Sequence, residues 1–142
     1  MTAPEETSGP EGTERAGAAL AATLAPGDVV LVSGDLGAGK TTFVRGALRA
    51  LGVDGPVTSP TFVVGHLYEA PRGPIAHLDL YRLTDLGEED PGLLDPYFGP
   101  GTITFVEWPE RAGAGALVGD RTIVRSVHLA HAGGDRRRIA IA

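Results

Sequence analysis

A chain of 142 residues suits one domain that buries roughly two-thirds of its unfolded surface and leaves no room for a second. Its 42% hydrophobic and 21% charged residues are those of a globular protein, and the lack of cysteine excludes disulfides, thiolate zinc sites and cysteine nucleophiles together. A formal charge of −6 argues against direct grip on a nucleic-acid backbone, which depends on neutralising phosphates. No run approaches the ~18 apolar residues of a membrane span, and the acidic, polar start is unlike a signal peptide, so no membrane contact is expected and the cytoplasm is the expected address.

In chain order, residues 1–7 show no apolar periodicity and are expected to be disordered, leaving 8–142 as the folded domain. Ser8-Gly9-Pro10-Glu11 has the S-x-x-E form of a capping box with proline in the first turn. It predicts a helix to about Leu24 with Ala16, Leu20 and Leu24 facing inward. After the turn Pro26-Gly27-Asp28, the unbroken apolar run Val29-Val30-Leu31-Val32 predicts a strand buried on both faces. Val44, Ala47, Leu48 and Leu51 fall at i, i+3, i+4 and i+7, one stripe of a second helix, and Gly52 stands where that helix ends.

Between this strand and this helix lies Gly34-Asp35-Leu36-Gly37-Ala38-Gly39-Lys40-Thr41, which fits the phosphate-loop pattern G-x-x-x-x-G-K-[ST]. Glycines let backbone N–H groups close around phosphate oxygens at a helix N-terminus, Lys40 reaches the β- and γ-phosphates, and the Thr41 hydroxyl holds Mg²⁺. A glycine-rich turn that binds nothing would share the pattern. Against that stands the composition: Lys40 is the only lysine, and every other basic residue is arginine. The chain also has no asparagine and no glutamine. A second lysine for guanine reading and a glutamine for positioning water, as small GTPases use, are both missing, so any hydrolysis relies on carboxylates, hydroxyls and a metal.

Further along, a strand is expected over 61–68, a turn over 70–74, and a strand over 75–80. Two short helical turns are expected near 85–90 and 93–98, a strand over 102–107, and a short helix after Pro109. A closing hairpin of 122–129 and 137–141 should turn at Gly133-Gly134. Strands joined through helices early and a hairpin late imply a mixed sheet. The expected fold is a single α/β domain with a phosphate loop, a mixed central sheet, flanking helices and a C-terminal antiparallel hairpin.

A phosphate loop needs an acidic group to hold Mg²⁺. Glu107 follows Ile103-Thr104-Phe105-Val106 and so stands at the carboxyl end of a strand, where ligands bind in open α/β sheets. An ordinary strand-terminal charge would look the same. Asp79 ends its own strand in the same way, and the two carboxylates could serve one site. Thr61, after Pro60, stands where a hydroxyl could meet the metal or the γ-phosphate, or simply begins a strand. Trp108 and Tyr81 read as partly buried packing residues or, standing beside those acids, as contacts to the nucleotide or a partner, and the four histidines read as structural or exposed.

Taken together, residues 34–46, Thr58-Ser59-Pro60-Thr61-Phe62, His77-Leu78-Asp79-Leu80-Tyr81-Arg82 and Val106-Glu107-Trp108-Pro109 resemble the bacterial TsaE family. The likeness covers residues 8–141. It implies a P-loop-like fold, ATP with Mg²⁺, and the role of accessory ATPase to the protein subunits of the complex that transfers threonylcarbamoyl to tRNA, without direct tRNA binding. By motif, Gly37, Ala38, Gly39, Lys40, Thr41 and Thr42 would bind the phosphates. Thr41 and Glu107 would hold Mg²⁺, and Asp79 and Thr61 would assist Lys40 and Glu107 in hydrolysis. The resemblance also implies that the base is held by the segment before the first helix, around Ser8, and by an arginine before the last strand, Arg137 in preference to Arg136 or Arg138. A small-molecule or nucleoside kinase, and an ATP-dependent module without turnover, remain the alternatives.

Overall fold

The computed structural model describes residues 4–57, 65–81, 94–112 and 122–142. Its strands are β1 (Glu5–Ser8), β2 (Asp28–Gly34), β3 (Gly65–Tyr68), β4 (Ile75–Asp79), β5 (Ile103–Glu107), β6 (Thr122–His131) and β7 (Arg136–Ile141), and its helices are α1 (Gly9–Ala21) and α2 (Lys40–Ala50). Short 3₁₀ turns stand at Asp95–Tyr97 and Pro109–Ala112. One sheet of seven strands has the order β1-β7-β6-β2-β5-β4-β3. The central β2 pairs in parallel with β5 and β6, and β4 pairs in parallel with β5, while β1, β3 and β7 add antiparallel neighbours. The sheet is therefore mixed, as the order of elements in the sequence implied.

Alternation along each strand feeds two cores. Val30, Val32, Phe105, Val127 and Leu129 belong to the larger one, with Ala16 and Leu20 of α1 and Phe43, Val44, Ala47 and Leu48 of α2. Val29, Leu78 and Val106 belong to the smaller one with Leu94, backed by Tyr97, Phe98 and Trp108. Both described helices thus pack into the same core, and the β2 run is covered on its two faces by different partners.

The two helices meet backbone to backbone. A Cβ at Gly17 would collide with the Phe43 carbonyl, and one at Gly46 with the Glu14 carbonyl. Only hydrogen at these positions lets α1 lie this close to α2, which fixes α2 and the loop that precedes it.

At the amino end the structure corrects the sequence reading. Glu5–Ser8 is not disordered but an edge strand, with Thr7 opposite Arg137 and Ser8 opposite Arg136. The Ser8 side chain makes no cap hydrogen bond, and the Gly9 N–H donates to the Asp135 carbonyl at 3.0 Å. The expected capping box is therefore not formed. Helix α1 stops at Ala21, short of Leu24, because the Thr23 N–H and hydroxyl both turn back on the Leu20 carbonyl, at 2.9 and 2.7 Å. Leu24 is still buried, at 3% exposure. The strand expected over 61–68 is described from Gly65, and the helical turn expected near 85–90 lies outside the described residues. No described helix is long and apolar enough to cross a membrane.

Candidate nucleotide and metal site

The site forms where β2, β4 and β5 end together. Leaving β2, the chain must reverse into α2 within a few residues, and it does so through left-handed backbone at Gly37 (φ 79°) and Gly39 (φ 99°). Side chains with a Cβ adopt that conformation at a cost, so the glycines of the loop are required by its shape. Gly39 caps α2, and with no acidic residue in the first turn of that helix its N–H groups and dipole are left for an anion.

Lys40 opens α2 and is almost wholly enclosed, at 5% exposure. Its Nζ donates to the Gly34 and Asp35 carbonyls, each at 2.8 Å, and lies 4.2 Å from the centroid of the Trp108 ring. Burial pushes its ammonium below the ordinary lysine value, opposed in turn by the negative charges of Glu107, Asp79, Glu110 and Asp35. Among the described residues, the loop thus holds a desolvated cation that is satisfied by its own carbonyls, an aromatic face and nearby acids.

Glu107 is the second buried charge, at 2% exposure. The Thr41 hydroxyl donates to its carboxylate, lying 3.1 Å from Oε1 and from Oε2. Strand register explains the meeting: Glu107 pairs with Val32, two residues before the end of β2, and with Asp79 at the end of β4. Asp79 accepts the Tyr81 N–H at 3.0 Å. A cavity of about 350 Å³ opens here, lined by Lys40, Thr41, Thr42, Asp79, Glu107 and Trp108 among others. Lys40, Thr41, Asp79 and Glu107, singled out in the sequence, are therefore brought together, and Thr61 lies outside the described residues.

Among the described residues no group of three or more His, Cys, Asp or Glu could hold a metal by itself. A hydroxyl and a carboxylate side by side suit a hard cation that takes oxygen ligands, keeps several waters and completes its shell with substrate phosphates, which is the habit of Mg²⁺. The donor set fits the ion that the motif implied.

On the far side of Gly39 and Thr42 a smaller cavity of about 90 Å³ is lined by Gly9, Pro10, Thr13, Asp135 and Arg137 as well. Arg137 donates to the Gly37 carbonyl at 3.4 Å and to the Gly134 carbonyl at 3.0 Å, whereas Arg136 pairs with Glu6 at 3.3 Å. Of the three consecutive arginines, Arg137 is thus the one tied to the phosphate loop. Ser8 is exposed and is not part of the lining, which its neighbours Gly9 and Pro10 supply.

Two residues near the acids do more than pack. Trp108 has φ 58°, the only positive φ outside glycine among the described residues, and its ring lies over Lys40 and 4.8 Å from that of Tyr81. A bulky residue in that conformation is strained, and the strain turns the ring over the loop lysine. His77 is fully buried, with Nε2 2.5 Å from Glu107 Oε2. Grouping it with three exposed or structural histidines missed this contact. The one signal available was that His77 and Asp79, two apart on a strand, share a face.

The sequence model of the family described as "Threonylcarbamoyl adenosine biosynthesis protein TsaE" matches residues 7–139. The chain belongs to the TsaE family. Relatives called tRNA threonylcarbamoyladenosine biosynthesis protein TsaE are 45% identical over 104 residues in Synechocystis sp. and 44% identical over 102 in Bacillus subtilis. These matches cover 70% and 72% of this chain but 65% and 63% of the relatives, just under two thirds of their length. The crystal structure of YdiB from Bacillus subtilis is similar throughout, with a TM-score of 0.73 and 33% identity over 98% of this chain and 83% of that one. The TsaE likeness inferred from four motifs thus extends to the whole architecture.

Proposed function

We propose that this chain binds ATP with Mg²⁺ and hydrolyses it slowly, as the accessory ATPase of the protein complex that transfers threonylcarbamoyl to tRNA. The observation that carries the reading is the approach of Thr41 to Glu107 at 3.1 Å beside a buried Lys40 and below a helix N-terminus with no acidic first turn. That arrangement supplies, in one cavity, donors for a triphosphate and oxygens for its counter-ion.

In this reading Lys40 exchanges the Gly34 and Asp35 carbonyls for phosphate oxygens, which return to it the negative partners that burial has withheld. The N–H groups of the loop hold the phosphates, and Thr41 and Glu107 present their oxygens to Mg²⁺. When bound, the ion supplies charge neutralisation between the phosphates. Asp79, next to Glu107 across the β4 and β5 register, orients the attacking water, with Thr61 as a further hydroxyl. Arg137 and the start of α1 border the space proposed for the base. With no glutamine to place the water, turnover is slow in the isolated protein and rises with its partners. Membership of a family named for threonylcarbamoyl adenosine biosynthesis supports the pathway, and the acidic balance favours protein partners over tRNA itself.

Phosphate release from Mg²⁺-ATP decides the matter, measured on the protein alone, with small hydroxyl acceptors, and with the threonylcarbamoyl transferase subunits. Slow release that partners accelerate is expected. Phosphate moved to a small acceptor would identify a kinase, and absence of turnover in every mixture would leave a binding module.

A further inference from the structure

His77 is the least exposed polar residue of the site and has one partner. Its Nε2 meets Glu107 Oε2, while Nδ1 is buried and has no hydrogen-bond partner among the described residues. Glu107 in turn is held asymmetrically. Thr41 lies equally far from its two oxygens, but only Oε2 meets the imidazole.

The orphaned Nδ1 limits which form of the ring can stand here. The Nδ1–H tautomer would bury a donor that finds no acceptor among the described residues. An unsatisfied buried donor forfeits the hydrogen bonds it would make to water. The Nε2–H tautomer leaves only a lone pair unpaired and aims its single donor at the carboxylate. We propose that His77 is a positioning residue, an Nε2–H donor that pins Oε2 of Glu107 so that Oε1 stays directed at the cavity for the metal. The strand geometry supports it. His77 lies two residues before Asp79 on β4, and Asp79 is paired with Glu107, so the imidazole supports the carboxylate from one step inside the sheet.

This inference rests on the reading of Glu107 as a Mg²⁺ ligand, and the experiment separates the two. ¹⁵N-histidine spectra of the unmodified protein at neutral pH show the tautomer of His77 whether or not ATP is hydrolysed. An Nε2–H signal is expected, and the Nδ1–H tautomer would overturn the proposal. Two variants then test positioning: His77→Leu, which fills the space without a donor, and His77→Gln, which offers an amide N–H near the Nε2 position. Loss of a hydrogen bond to a metal ligand costs about 10- to 100-fold in metal affinity or activity. In His77→Leu the Mg²⁺ concentration that half-saturates nucleotide-dependent Trp108 fluorescence should rise by about that factor and kcat should fall in step, with metal-free nucleotide affinity and KM nearly unchanged. His77→Gln should regain most of both. A folded His77→Leu with parental Mg²⁺ dependence, or a folded His77→Gln no better than His77→Leu, would overturn the proposal. If His77→Leu does not fold, the tautomer and the Mg²⁺ dependence of His77→Gln decide: an Nε2–H ring with a near-parental Gln variant supports positioning, and any other result refutes it. Absence of ATP hydrolysis in the unmodified protein would remove the enzymatic reading and still leave the tautomer and Mg²⁺-linked binding to judge His77.

Discussion

Replacing Lys40 by methionine should leave the fold as stable as before, or more so, and destroy nucleotide binding. The side chains are similar in length, so the substitution chiefly removes an ammonium that is 5% exposed and desolvated. Lost with it are two hydrogen bonds to the Gly34 and Asp35 carbonyls, worth about 1.5–3 kcal/mol each for a charged donor, and a cation–π contact of about 0.5–2 kcal/mol. Recovered is a desolvation cost of several kcal/mol. The lowering of the lysine pKa by burial points to the desolvation side, because folding then disfavours the charged form. Lys40→Met should therefore melt within about 3 °C of the parent or above it, taking about 2–4 °C per kcal/mol for a chain of this size. The sign of the pH dependence follows. Between the lowered folded pKa and the ordinary value of 10.5, the unfolded chain binds more protons at Lys40 than the native state. Parental stability gains from this group as pH rises through that window, and any advantage of the variant narrows there. Nucleotide affinity moves the other way: removing one member of a buried charged pair costs about 2–5 kcal/mol, about 30- to 5,000-fold in Kd. Thermal melts at several pH values and calorimetric titration with Mg²⁺-ATP read both quantities. A fall in melting temperature beyond about 6 °C, or a Kd within about threefold of the parent, would refute the reasoning.

Glu107→Ala should keep nucleotide affinity within about tenfold while phosphate release drops about 100-fold or more, about 2.7 kcal/mol in the barrier, as phosphate-release assays with matched titrations would show. Normal turnover would remove Glu107 from the mechanism. Gly46→Ala places a methyl group against the Glu14 backbone, which no rotamer change can relieve. A loss of about 1–3 kcal/mol is expected from overpacking, despite about 1 kcal/mol of helix propensity gained. A denaturant midpoint equal to the parent's would show that α1 and α2 can separate without cost.

What could be read from the sequence was whatever carries a short-range signature. The unbroken run from Val29, the glycines of the loop and the apolar stripe of α2 each state their conformation within a few residues, and β5 announces Glu107 in the same way. β1 does not. Glu5-Glu6-Thr7-Ser8 has one buried residue, Thr7, which is also the only one of the four that favours a strand. It is extended because β7 offers an unpaired edge, and that edge exists only after β6 has crossed to lie beside β2. The serine expected to cap α1 is itself the end of that strand, paired with Arg136 more than a hundred residues distant in the chain, and its side chain makes no cap hydrogen bond. Local propensity is a weak prior where a long-range pairing competes for the same residues.

The site divides along the same line. Residues that act on phosphate through their own backbone turn, such as Gly39 and Lys40, are written contiguously and can be found by pattern. Glu107 could be found because a strand end is a local feature and its position at the ligand edge follows from the fold class. His77 could not, because its role is defined only by register: one residue of slip between β4 and β5 would turn it to the opposite face, away from Glu107. What a sequence does reveal is the anomaly, a histidine inside a strand that otherwise reads Ile75-Ala76, Leu78. Burying an imidazole needs a partner of matching polarity, and the only question is where that partner stands. Here it stands on the strand that carries the acid, which is why a residue read as structural is tied to the carboxylate proposed to hold the metal.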